Sequence, residues 1–316
     1  MLREFTIADL GVLNTAQALF LHNQTLLTRG PAALIRRSLL APLASLTGVY
    51  TVVCGELIGQ AQRFADQPLA ALTFLSPPAA AQGVALTQVV EYFLKKLGPL
   101  GVQGLQAELD ENSATCAALQ QAGFSLHARQ RIWKLTHAPA ARQSHSGWRV
   151  RAEADELAVH LLCQSQLPAT AQHSDLSGKE SSSGYVYYVE GQLAAFAAVK
   201  RGPQGTWAQL FAERGTFPLA DGLTDLLISL RPRPSRPLYF CVRDYQDWLE
   251  PALEQLDGQP GPRQAALVRR TVLPLKVKDL QRAARAAFTE PTTPIRVPVR
   301  HAEPEWMNYD QTPNHR

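Results

Sequence analysis

Glu108 and Asp110 alternate with Ala107 and Leu109 in a run that reads as a strand over 105–109. Residues two apart on a strand share a face, so the two carboxylates point the same way. A carboxylate beside an amine can take its proton as the amine attacks a carbonyl, which makes Glu108 and Asp110 the candidates for a general base. Solvent-facing acids on a strand are commoner than such bases, and the catalytic residue stays unassigned. Asn112 follows, at the head of a helix expected over 113–121, where an N-cap side chain would accept an N–H. Cys54, Cys116, Cys163 and Cys241 are far apart, without the close pairs of metal sites or disulfide frameworks, so buried reduced thiols are expected.

The elements that must hold these groups follow from the periodicity. A strand over 3–7 leads to a helix from Asp9 carrying Leu10, Leu13, Ala16 and Leu19. A helical or irregular stretch covers 23–41. Three strands are expected over 49–54, 57–64 and 69–75. Gly83 opens a helix over 83–97 whose apolar side holds Val89, Val90, Phe93, Leu94 and Leu97. The strand at 105–109, the helix at 113–121 and two extended pieces over 124–135 complete the first half. The run 136–147 is poor in large apolar residues and reads as a linker between domains at 1–135 and 148–275. The same order then returns: a strand at 148–151, a helix at 154–166, strands at 185–189, 193–200 and 206–212, a helix at 220–230, a strand at 238–242, a helix at 247–256 and a strand at 264–271. A basic helix over 276–288, with Arg282 and Arg285 on a solvated face, precedes a Pro-rich tail at 289–316 expected to be disordered.

The two halves also share residues at one register. Ala128-Arg129-Gln130 and Pro262-Arg263-Gln264 stand 134 positions apart, as do Asp110 and Asp244, Leu119 and Leu253, and Gln121 and Gln255. Repetition of a domain-sized order of elements is what duplication of one fold leaves behind.

The stretch 105–135 resembles the motif of the GNAT acetyltransferases: a strand, an Asn, a short helix, Gly-Phe and a closing strand pair. Asp110-Glu111-Asn112 stands where that family has its Asn, and Gly123-Phe124 at its helix-to-strand turn. Leu75-Ser76-Pro77 resembles the family's strand end, and Gly83-Val84-Ala85 its acyl-CoA loop. The resemblance covers 2–135 by motif and 148–271 by element order. It implies an α/β (α+β) fold of two tandem domains, each a mixed, mostly antiparallel sheet flanked by helices. It also implies an acetyl-CoA co-substrate, held by Leu75, Pro77, Gln82, Gly83, Val84, Ala85 and Asn112. Unpaired amides at a helix N-terminus suit the pyrophosphate, and a gap between the strands ending at Leu75 and beginning at Leu105 would take the pantetheine arm. Two positions depart from the pattern. Ala80 replaces an Arg or Gln, and Leu119 replaces the tyrosine that protonates the leaving thiolate, a loss of roughly a hundred- to ten-thousand-fold in the chemical step unless another group substitutes. The second half has no such loop and no such tyrosine, and reads as a degenerate copy.

Two functions follow as expectations. One is an N-acetyltransferase moving an acetyl group to a small-molecule or peptide amine, with its site in the first half. The other is a non-catalytic tandem GNAT-fold protein that binds or scaffolds. Of 316 residues, 46% are hydrophobic and 18% charged, with net charge +4. The basic residues are scattered apart from Arg231, Arg233 and Arg236, so no nucleic-acid partner is expected. The acidic N-terminus and the lack of long apolar runs argue against a signal peptide or membrane span, so a cytoplasmic monomer or homodimer is expected.

Overall fold

In the first half, β1 (Leu2–Glu4), 3-10 turns, β2 (Leu19–Phe20), α1 (Asn23–Arg29), α2 (Pro31–Arg36) and α3 (Ala44–Thr47) lead into a meander of β3 (Val49–Cys54), β4 (Leu57–Gln62) and β5 (Leu69–Ser76). Then come α4 (Gly83–Leu97), β6 (Gly104–Asp110), α5 (Ala114–Gln121) and β7 (Ser125–Leu135). The second half repeats the order: β8 (Trp148–Val150), α6 (Glu156–Gln166), β9 (Gly184–Val189), β10 (Gln192–Arg201), β11 (Thr206–Ala212), α7 (Leu219–Leu230), β12 (Leu238–Arg243), α8 (Glu250–Gln255) and β13 (Gln259–Arg270). This computed structural model describes residues 1–271 except 14, 66, 140–146 and 168–182. The expected helix at 276–288 and the tail at 289–316 lie outside the described residues, as does most of the linker.

The fold is mixed α/β, and each half carries the strand and helix order that the GNAT resemblance implies. Strands β3, β4 and β5 are buried along their whole length, so their polar side chains as well as their apolar ones lie inside. Their polar groups satisfy one another: Gln60 Nε2 donates to Ser38 Oγ at 2.9 Å, and Thr73 Oγ1 to Gln60 Oε1 at 2.8 Å. At the end of α5, Gly123 takes a left-handed φ of 88°. Phe124 N–H then closes on Leu119 O at 3.0 Å, turning the chain into β7. Strand β7 is one continuous strand, where two pieces were expected.

The described strands join in a single sheet, in the order β1-β3-β4-β5-β6-β13-β7-β12-β11-β10-β9-β8, with β2 pairing β5 off this path. Pairing is antiparallel except β5·β6 and β11·β12. The last strand of each half lies beside the parallel-paired strand of the other: β13 on β6, and β7 on β12. The cores follow this exchange. Ala265 and Leu267 of β13 are buried among Leu105, Leu109 and Phe124, while Trp133 and Leu135 of β7 are buried among Phe240, Val242 and Leu253. Trp148 and Trp207 are buried as well and pack into the second half.

Each half begins with the same clamp. Arg3 grips Asp9 through Nη1–Oδ2 at 2.7 Å and Nη2–Oδ1 at 2.5 Å, and Thr6 N–H adds a bond to Oδ2 at 2.8 Å. Arg149 grips Asp155 at 2.6 and 2.5 Å, and Ala152 N–H adds a bond of 2.8 Å. These residues stand 146 apart rather than 134, because the two halves differ in length between the clamp and the closing strand. The helix expected from Asp9 is a 3-10 segment instead. Its Asp is spent on capping the turn.

Candidate functional site: a cleft closed by the chain itself

Strands β5 and β6 run parallel only from Leu69↔Gly104 to Ala71↔Gln106. Beyond that point they part, which is the gap expected to take a pantetheine arm. The chain fills it. Strand β2 pairs antiparallel with β5, Leu19 opposite Leu75 and Phe20 opposite Phe74. Leu21 then bridges the two parted strands: its N–H donates to Thr73 O at 2.9 Å, and its carbonyl accepts the Glu108 N–H at 2.8 Å. The Leu21 side chain is fully buried in the first core. Leu75, expected to offer a free backbone edge to acyl-CoA, is paired on both sides, with Gly59 of β4 and Leu19 of β2.

The helix expected from Asp9 through Leu19 gives way here to the strand Leu19–Phe20. The signal available in the sequence was Ala18-Leu19-Phe20-Leu21, a short apolar run that breaks helical spacing just before His22-Asn23.

Glu108 is turned to structural use. It accepts from Asn23 N–H at 3.0 Å and Asn23 Nδ2 at 3.1 Å, and Arg243 Nη2 lies 3.9 Å away. Asn23 Nδ2 also reaches Gln264 Oε1 at 2.8 Å, tying α1 to β6 and β13 at once. Beside it His22 is buried, its Nδ1 2.6 Å from Thr25 Oγ1. Burial holds the His22 imidazole below its ordinary pKa, against the opposing pull of Glu108. Asp110 is exposed and works in the turn: Oδ1 accepts the Asn112 N–H at 2.9 Å. The cap of α5 is Ser113, not Asn112, with Oγ accepting from Cys116 N–H at 3.2 Å. Leu119 is fully buried.

The loop before α4 divides into two parts. Ala80, Ala81 and Gln82 donate to Pro77 O, Pro78 O and Ala80 O at 3.1, 3.0 and 2.9 Å, so their amides are used within the turn. Gly83, Val84 and Ala85 form the first turn of α4, and their amides have no acceptor among the described residues. Gly83 has a φ of +57°, and a Cβ there would meet nothing within 4 Å. The phosphate part of an acyl-CoA therefore fits this cradle. The pantetheine part does not, because β2 and Leu21 stand in its place.

The second half closes its own gap differently. β11 and β12 pair from Thr206↔Leu238 to Gln209↔Cys241, and beyond them the buried Gln246 side chain donates from Nε2 to Leu210 O at 2.6 Å. Among the described residues no group of His, Cys, Asp and Glu could hold a metal, and no helix is long and apolar enough to cross a membrane. The four cysteines are buried and joined in no disulfide, as expected.

No family model matches the sequence, and no curated protein matches it. Among solved structures, the chain is similar to a GCN5-related N-acetyltransferase from Sphaerobacter thermophilus, with 13% identity over 85% of this chain and 95% of that one and a TM-score of 0.49. It is similar to a putative acetyltransferase from Pyrococcus horikoshii, with 13% identity, coverage of 88% and 92%, and a TM-score of 0.49. It is also similar to a tandem GNAT protein from the clavulanic acid biosynthesis pathway, with 14% identity, coverage of 70% and 82%, and a TM-score of 0.44.

Proposed function

We propose that this chain is a tandem GNAT-fold protein that does not transfer acyl groups and serves instead as a binding or scaffolding protein. The observation that carries this reading is the seating of Leu19–Leu21 between β5 and β6, where the backbone of Leu21 bonds to both parted strands. An acyl-CoA would have to break those bonds and expose a fully buried leucine, a cost of about 1.5–3 kcal/mol for the side chain alone. The absence of a proton donor at Leu119 and the hydrogen-bonded state of Glu108 support it further.

A second reading rests on the free amides of Gly83, Val84 and Ala85. They favour an N-acetyltransferase in which the 19–23 segment withdraws, acetyl-CoA enters the first half, and an amine attacks. Isothermal titration of the full chain with acetyl-CoA separates the two. The first reading expects no saturable heat at sub-millimolar ligand. Saturable binding that a Gly83→Trp variant abolishes, with thiol released from acetyl-CoA when an amine is added, would favour the second.

A further inference from the structure

The geometry points to a binding site for a compact polyanion of the pyrophosphate type in the second half, at the end of the sheet remote from the α7 N-terminus. There Arg201, Arg231, Arg233 and Arg236 line a cavity of about 310 Å³ together with Thr206, Leu230 and Ser235. No carboxylate lines it. Arg201 donates from Nη2 to Tyr185 Oη at 2.7 Å and lies over that ring at 5.7 Å. Arg231, Arg233 and Arg236 make no side-chain hydrogen bond or ion pair among the described residues. Four guanidinium groups gathered without a counter-charge repel one another, and an oxyanion relieves that repulsion through charge-assisted, bidentate bonds.

The backbone under these arginines is stiff. Arg231 takes a left-handed φ of 51°, with its N–H on Leu227 O at 2.8 Å. Arg233 and Arg236 close a turn on each other by N–H to carbonyl bonds of 3.2 and 2.9 Å in the two directions. Pro232, Pro234 and Pro237 fix φ between and after them. A site ordered before its ligand arrives loses less entropy on binding.

The fold itself does not require this charge. At the corresponding place in the first half, between α4 and β6, the chain reads Gly98-Pro99-Leu100-Gly101-Val102-Gln103, with no charged residue. The duplicated scaffold thus turns the same corner without arginines, and the second copy alone carries them. The cavity also sits at the C-terminal end of α7, away from the loop before its N-terminus that corresponds to the Gly83 turn. It is therefore distinct from the acyl-CoA position of the fold.

Isothermal titration of the full chain with inorganic pyrophosphate at low ionic strength tests this site. One saturable event per chain is expected, weakened by about tenfold or more in the Arg233→Ala/Arg236→Ala double variant. Added salt should weaken it too. Both positions are exposed in a turn held by backbone bonds, and an unchanged melting temperature checks the fold of the variant. Arg214→Ala, at the opposite end of α7, should bind like the parent chain. Absence of binding, equal binding by the double variant, or an equal loss in Arg214→Ala would overturn the assignment. So would tight binding of a short DNA duplex by a chain that ignores pyrophosphate.

Discussion

Gln130 and Gln264 stand 134 positions apart in the sequence and directly opposite each other across the antiparallel β7·β13 pair, with Gln130 Nε2 donating to Gln264 Oε1 at 3.2 Å. The register that relates the two halves in sequence is thus the register at which they meet in space. Arg131↔Arg263 and Arg129↔Ala265 flank the pair. A duplicated fold whose equivalent residues face one another has its pseudo-twofold axis there, as a symmetric dimer would, but within one chain.

The exchange of last strands makes the halves interdependent. A chain cut at residue 139 leaves β6 and β7 without β13 and strips Ala265 and Leu267 from the first core. It should lack a cooperative melt by circular dichroism, and adding residues 147–273 in trans should restore one. For the whole chain, Leu267→Ala should cost about 2–5 kcal/mol, read as a shift of a single denaturation transition rather than the loss of one of two.

The Arg149–Asp155 clamp predicts a pH dependence. Bonding to Arg149 in the first place, with Ala152 N–H and Tyr188 Oη, holds the Asp155 carboxyl well below the usual carboxylate range. A depressed pKa gives stability that is complete above the unfolded value, about 4, and is lost as pH falls through the folded value. Arg149 is half exposed, so screening limits the effect. Arg149→Ala should cost about 1–2 kcal/mol at neutral pH, measured by urea denaturation, and much less near pH 2.

His22 acts higher in the pH range. Its buried imidazole takes up a proton less readily in the fold than in the unfolded chain, which does so near pH 6.5. The contribution is therefore complete above that pH and lost as pH falls below it toward the folded value. Urea midpoints should drop between about pH 6.5 and 5, and a His22→Gln variant should flatten that slope. An equal slope in the variant would contradict the assignment of this titration to His22.

Restoring a tyrosine at position 119 should not create a catalyst. Leu119 is fully buried in the first core, so Leu119→Tyr overfills it at a cost of about 1–3 kcal/mol. The thiol released from acetyl-CoA in the presence of a panel of amines should stay at background. A rise above background would show a leaving-group site that the packing denies.

The fold was legible because most of it is written in local pattern. The helix at 83–97 and the strand at 49–54 lie where the periodicity puts them, and so does the Gly123 turn. The exchange of β7 and β13 was not legible. Strand β7 roughly alternates in burial while β13 is buried continuously over Ala265–Val268, and neither pattern says which half supplies the covering neighbour. The site was half legible. The free amides at Gly83–Ala85 follow from a helix N-terminus and a glycine, which are local. The filling of the cleft depends on Leu21 meeting Thr73 and Glu108, contacts between residues far apart in the chain. The Arg3 and Arg149 clamps were available as a repeated Arg-x5-Asp spacing, hidden by an offset that differs from the one shared by the closing strands. The four-arginine cavity was half visible as Arg231, Arg233 and Arg236. Arg201 joins it only through the β10·β11 pairing of Arg201 with Thr206.

Hydrogen exchange at two amides tests the central claim most directly. If Leu19–Leu21 fills the gap between β5 and β6, the Leu21 and Glu108 amide protons, bonded to Thr73 O and Leu21 O, will exchange slowly. They will be equally slow with a large excess of acetyl-CoA present. Rapid exchange at both positions, or loss of protection when acetyl-CoA is added, would mean that the cleft opens and that the chain has kept the use its fold implies.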